Sequence, residues 1–145
     1  MNELLPYCML ALIVALSWLS NSPSQAAQPA DAEERMLSHD VFFTLKDSSA
    51  EAKQRLVAGC KKYLAQHSGT VWFAAGVRVE ELDRPVNDLG FDVALYVVFA
   101  NKAAHDAYQT APDHLKFIEE FKDNWKEVRV FDSWLEVSAH GKTAE

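Results

Sequence analysis

Phe91-Asp92-Val93-Ala94-Leu95-Tyr96-Val97-Val98-Phe99 is the stretch whose reading decides the fold. Phe91, Val93, Leu95, Val97 and Phe99 fall on one side of an extended chain, and Asp92, Ala94, Tyr96 and Val98 on the other. Such alternation, filled with β-branched and aromatic residues that suit a pleated surface, predicts a strand. One side is wholly apolar and must be covered. The other is only half polar.

Outward from that strand, Asn101 is placed to cap a helix over Lys102 to Thr110. Pro112 suits the first position of a further helix running to about Trp125, with Leu115, Ile118, Phe121 (or Lys122) and Trp125 near one face. Glu127 to Leu135 alternates as a last strand. Upstream, Glu80 to Gly90 is polar and holds Arg84-Pro85 and Asn87-Asp88, so it reads as a loop. Val71 to Val79 reads as a strand, and so does His39 to Leu45, whose residues His39, Val41, Phe43 and Leu45 share a face. Between those two, Ser48 with Glu51 forms a capping box. It opens a helix with Ala52, Leu56, Cys60, Tyr63 and Leu64 on one stripe, ending at Ser68-Gly69. The order is βαββαβ, an α+β ferredoxin-like sandwich. Helices cover only one face of such a four-stranded sheet. The face carrying Asp92, Ala94, Tyr96 and Val98 is therefore expected to pair with a second copy.

The 145 residues suit one domain and exclude a large barrel or multidomain enzyme. With 14 Lys+Arg against 21 Asp+Glu, a net charge of −7 argues against nucleic acid as a partner. Eight Phe, four Trp and four Tyr argue against disorder. The sequence has no internal repeat and no Gly-rich phosphate loop.

The N-terminal segment differs in composition from the rest. No Lys or Arg precedes Arg35, and Cys8 to Leu19 is almost wholly apolar. A helix of that length spans about 18 Å, short of the roughly 30 Å hydrocarbon core. Small residues at Ser24 and Ala26 fit a signal-peptidase site, so residues 1–26 are expected to be a signal peptide cleaved after Ala26, with a secreted or periplasmic product. An uncleaved membrane anchor, or a start codon misplaced upstream of a cytosolic domain, are the alternatives. Cleavage removes Cys8, leaving Cys60 with no internal disulfide partner. Residues 27–35 read as a linker, 36–137 as the domain and 138–145 as a flexible tail.

His39 opening the first strand, Tyr108-x-x-Ala111-Pro112-x-His114 after the third, and Val130-Phe131-Asp132 in the last together resemble the stress-responsive A/B barrel (Dabb) family. The resemblance spans roughly Met36 to Val137. It implies a dimeric α/β barrel built from two ferredoxin-like halves joined through their sheet faces. It also implies a place among stress-induced proteins, bacterial members of unknown role, or polyketide cyclases; the related monooxygenases share the fold without metal or flavin. By the shared motif, His114 matches the cyclase histidine used as general base and Tyr108 its tyrosine partner. His39 and Asp132 match further polar positions around the pocket. Where the family motif usually reads His-Pro-x-His, this chain has Ala111, which removes a polar group near the pocket mouth.

On chemical grounds a neutral histidine accepts a proton, an aspartate on its other ring nitrogen fixes its tautomer, and a tyrosine hydroxyl donates to a developing oxyanion. His114, Tyr108 and Asp132 thus hold the parts for deprotonating carbon beside a carbonyl. A capping role for His114 and a loop-anchoring role for Asp132 remain open. His39, Val41, Phe43, Leu95 and Asp132 are expected to line a small apolar pocket for an apolar or aromatic ligand. His39 is expected to be buried and hydrogen-bonded, His67 to meet the C-terminal dipole of the first helix, His105 and His140 to be surface residues, and Cys60 to be core. No ligand pair such as His-x-x-x-His occurs, and neither metal nor cofactor is expected. The favoured reading is an exported homodimer with a stress-related or ligand-binding role. The alternative is a cofactor-independent enzyme of cyclase or monooxygenase type using His114 and Tyr108.

Overall fold

In a computed structural model describing residues 35–136, β1 (Leu37–Leu45) lies inside an antiparallel sheet of order β2-β3-β1-β4. The other elements are α1 (Ala50–Leu64), β2 (Thr70–Val77), β3 (Val93–Phe99), α2 (Lys102–Gln109), α3 (Pro112–Phe121), a 3₁₀ turn (Lys122–Asn124) and β4 (Trp125–Trp134). This is the ferredoxin-like α+β arrangement, with α2 and α3 sharing the second crossover. Residues 1–34 and 137–145, which hold the expected signal peptide, most of the linker and the tail, lie outside the described residues. Among the described residues no helix is long and apolar enough to cross a membrane.

All three helices sit on one face of the sheet, and the alternation of β3 explains why. Val93, Leu95, Val97 and Phe99 are each at most 1% exposed and meet Leu56, Cys60 and Leu64 of α1 in the core. Val41 and Phe43 from β1, with Phe117 and Phe121 from α3, complete it. Burying each such side chain contributes about 1.5–3 kcal/mol. Gly59 lets α1 and α3 approach closely, since a Cβ there would overlap the Phe121 ring.

Several local expectations are corrected. Ser49, not Ser48, caps α1, its hydroxyl accepting from the Ala52 amide at 3.3 Å. The carboxylate of Asp47 takes the Ser49 amide at 2.9 Å, and this turn starts the helix one residue later. α1 stops at Leu64, before Ser68-Gly69. Gly69 does adopt φ +83°, but within the turn into β2 and against Ala104 of α2. α3 turns Phe117 inward, while Leu115 is 53% exposed. Trp125 opens β4 instead of closing a helix, yet still packs on the core against Phe43 and Phe117.

The largest correction is at the start of β3. Phe91 stacks edge-on against Phe42, on the sheet face away from the helices, with ring centroids 4.9 Å apart. Asp92 turns the other way: it is buried, accepts from the Leu45 amide at 2.8 Å and lies 3.7 Å from Lys53 of α1. The alternation reverses just before Val93, so Phe91 joins the outer face and Asp92 leaves it. Phe42 also meets Tyr96 and Phe131 there, at 5.9 and 5.7 Å, and Trp72 meets Tyr96 at 6.4 Å. The outer face is aromatic across all four strands.

Candidate functional site

His39 and Asp132 face each other across the β1–β4 ladder, both on the helix side of the sheet. The His39 Nδ1 lies 2.7 Å from Asp132 Oδ1. A carboxylate accepts, so the ring carries its proton on Nδ1. His39 is buried, as its apolar face requires, and this bond satisfies it. Asp132 remains about half exposed.

Tyr108 arises from the last turn of α2 and is 2% exposed; burial pushes its phenol well above the usual tyrosine range. Pro112 supplies the first residue of α3, and Ala111 caps that helix without any side-chain bond. His114, in the first turn of α3, lies over Tyr108 with ring centroids 4.4 Å apart. Its Nδ1 donates to the Gln109 carbonyl at 3.0 Å, so the neutral ring keeps its lone pair on Nε2, which has no hydrogen-bond partner among the described residues. Desolvation lowers its pKa from the ordinary value, the Gln109 carbonyl opposes that, and nearby His39, His67 and His105 add to it. His67 approaches Tyr108 edge-on at 4.9 Å, while its Nε2 donates to the Tyr63 carbonyl at the end of α1.

His39, Tyr108 and His114 border a cavity of about 190 Å³ between the sheet and helices α2 and α3. His39, Val41, Phe43 and Leu95 line it, with Tyr108 and His114. Asp132 does not: it lines a neighbouring solvent hollow with Leu37, His105 and Trp134. Two other depressions, beside the N-terminal half of α1, hold none of the five described residues just named for the chemistry: His39, His67, Tyr108, His114 and Asp132.

Sequence reasoning missed several participants. Gln109, Ile118, Trp125, Val128 and Val130 also line the cavity. The two valines alternate with Asp132 on the helix side of β4, a pattern readable in the sequence. The buried indole N–H of Trp125 has no hydrogen-bond partner among the described residues. His105 is not a plain surface residue, for its side chain is only 16% exposed and its ring lies 5.2 Å from that of His39. His39, His105 and Asp132 each bring a ligand atom within 4.8 Å of the others.

Among solved structures, the chain resembles a Dabb family protein of Mesorhizobium loti with a ferredoxin-like fold. That match has 24% identity and a TM-score of 0.59, over 72% of this chain and 99% of that one. It also resembles a dimeric ferredoxin-like protein of unknown function from Thermobifida fusca, at 17% identity and TM-score 0.58, over 70% and 92% of the two chains. A hydroxynitrile lyase of Passiflora edulis matches at 19% identity and TM-score 0.59, over 74% and 99%. At such identities the likeness shows the fold. No curated protein matches. The family model of the Stress Responsive A/B Barrel Domain matches residues 37–135, every strand and helix described above. The chain belongs to the stress-responsive A/B barrel (Dabb) family.

Proposed function

We propose that this Dabb-domain chain is an exported homodimer that holds a small aromatic ligand carrying a hydrogen-bond acceptor. The cavity lined by His114, Tyr108 and Trp125 carries this reading. Its walls are mostly apolar, as small-molecule sites are, with few polar groups to orient a ligand. The Trp125 indole N–H, buried without a partner, gains a bond from an acceptor such as a carbonyl oxygen. Export rests on the apolar run Cys8 to Leu19 followed by Ser24 and Ala26. Association through the outer sheet face rests on the cluster of Phe42, Phe91, Tyr96 and Phe131, and several neighbours of this fold are described as dimeric. A stress-related role is the setting this family suggests.

The test is nuclear magnetic resonance titration with small aryl ketones and phenols. Binding in the cavity shifts Val128, Val130, the Trp125 indole and His114 together; shifts confined to other residues overturn the reading. Sedimentation tests the dimer separately, and a monomer at micromolar concentration removes it.

The unpartnered Nε2 of His114 favours one further reading, a cofactor-independent enzyme in which His114 takes a proton from carbon beside a carbonyl while Tyr108 donates to the oxyanion. A bound aryl ketone then exchanges its α-hydrogens with solvent deuterium, and His114→Gln abolishes the exchange. Equal exchange in both proteins eliminates catalysis by His114.

A further inference from the structure

We infer a binding site for a divalent transition-metal ion at His39, His105 and Asp132, beside the apolar cavity and sharing His39 with it. The two strands that hold His39 and Asp132 are register partners, so those side chains are fixed on one face of a rigid ladder. α2 lies over them and brings His105 down onto His39. One ligand atom from each residue lies within 4.8 Å of the other two. Ligands on a tetrahedral ion with bonds of about 2.1 Å sit roughly 3.4 Å apart. Closing that difference requires His105 to turn out of its contacts with Asp106 and Gln109, at 3.2 and 2.9 Å.

The donor set selects the ion. Two imidazole nitrogens and one carboxylate suit Zn²⁺, Co²⁺, Ni²⁺ or Cu²⁺, whereas Mg²⁺ and Ca²⁺ prefer an all-oxygen shell. Three protein ligands leave a coordination position open to a hollow of about 310 Å³ that reaches solvent. Asp106 lies beside the site, its Oδ1 3.2 Å from His105 Nδ1, and Lys102 pairs with its other oxygen at 2.5 Å. The carboxylates thus outnumber the lysine around the hollow, which favours a cation.

The fold already assembles the partners without an ion. His39 Nδ1 donates to Asp132, and a metal takes the place of that shared proton, which moves to His39 Nε2. Coordination therefore changes the tautomer of a ring that also lines the apolar cavity.

Titration of the full chain with Zn²⁺, Co²⁺ and Mg²⁺ tests this inference. One Zn²⁺ per chain binds and raises Tm, Co²⁺ gives the strong visible bands of a four-coordinate nitrogen–oxygen site, and Mg²⁺ has no effect. His105→Ala and Asp132→Asn, each checked for folding by circular dichroism, weaken Zn²⁺ binding by about tenfold or more. His140→Ala, which removes the tail histidine, leaves it unchanged. Failure of both Zn²⁺ and Co²⁺ to bind overturns the site, as does binding that survives both substitutions or is lost with His140. The Co²⁺ spectrum needs no substitution, and weak octahedral bands alone also overturn it.

Discussion

His114 donates its Nδ1 proton to the carbonyl oxygen of Gln109, 3.0 Å away, and this contact decides which ring nitrogen is free to act. Because burial disfavours the charged ring, the folded chain binds a proton at this position less readily than the unfolded chain does. Between the lowered folded value and the ordinary 6.5, the unfolded state therefore holds more protons. Stability from His114 is complete above that window and is lost as pH falls through it. Melting curves recorded from pH 7.5 to 5 should fall in Tm toward acid. His114→Gln, whose side-chain amide can still donate to the carbonyl, should fall less steeply; equal slopes would falsify the assignment.

Cys60 is fully buried on α1, and desolvation pushes its thiol up to about 12. Only the thiolate alkylates, so iodoacetamide should leave Cys60 unmodified in the folded chain at neutral pH and label it completely in denaturant. Mass spectrometry of the peptide containing Cys60 reads both states. Rapid labelling without denaturant would contradict the packing of α1 on β3.

Gly59 touches the ring of Phe121, which is itself buried and stacked on Phe117 at 5.2 Å. An added methyl has nowhere to go. Gly59→Ala should destabilise the fold by about 1–3 kcal/mol in urea titrations, despite the better helix propensity of alanine. Pairing it with Phe121→Leu should recover part of that loss, and additive effects of the two changes would argue against the contact.

Asp92 accepts from the Leu45 amide at 2.8 Å, and Lys53 lies beside it. Asp92→Ala strands a buried donor and should cost about 1–3 kcal/mol. Asp92→Asn keeps an acceptor and should cost clearly less. Urea midpoints for the two variants settle the comparison, and equal losses would place the effect in charge instead of the amide.

The fold was legible where one physical period dominated. In β3, strict alternation marks four residues that are almost completely buried, and nothing else competes with it. Local alternation puts Asp92 on the outer face because its partners, Leu45 and Lys53, are far off in sequence. The start of α1 slipped by one residue because Asp47 and Ser48 both look like caps, and only the turn made by Asp47 separates them. At the site, the grouping of His39, Tyr108 and His114 around one cavity is what the family resemblance implies, and no local period points to it. His105 reads as a surface residue because Lys102 and Asp106 give its helix a polar face, while the ring itself lies against that of His39 on β1.

The break between α2 and α3 has a chemical consequence. In an unbroken helix the carbonyl of Gln109 would accept the backbone N–H of residue 113. Pro112 begins a new helix instead, and the orphaned carbonyl receives a side chain, His114. Helix punctuation thus sets the proton inventory of the cavity. A substitution that shifts that break by one residue would take the Gln109 carbonyl away from His114 and retune the basicity of its ring.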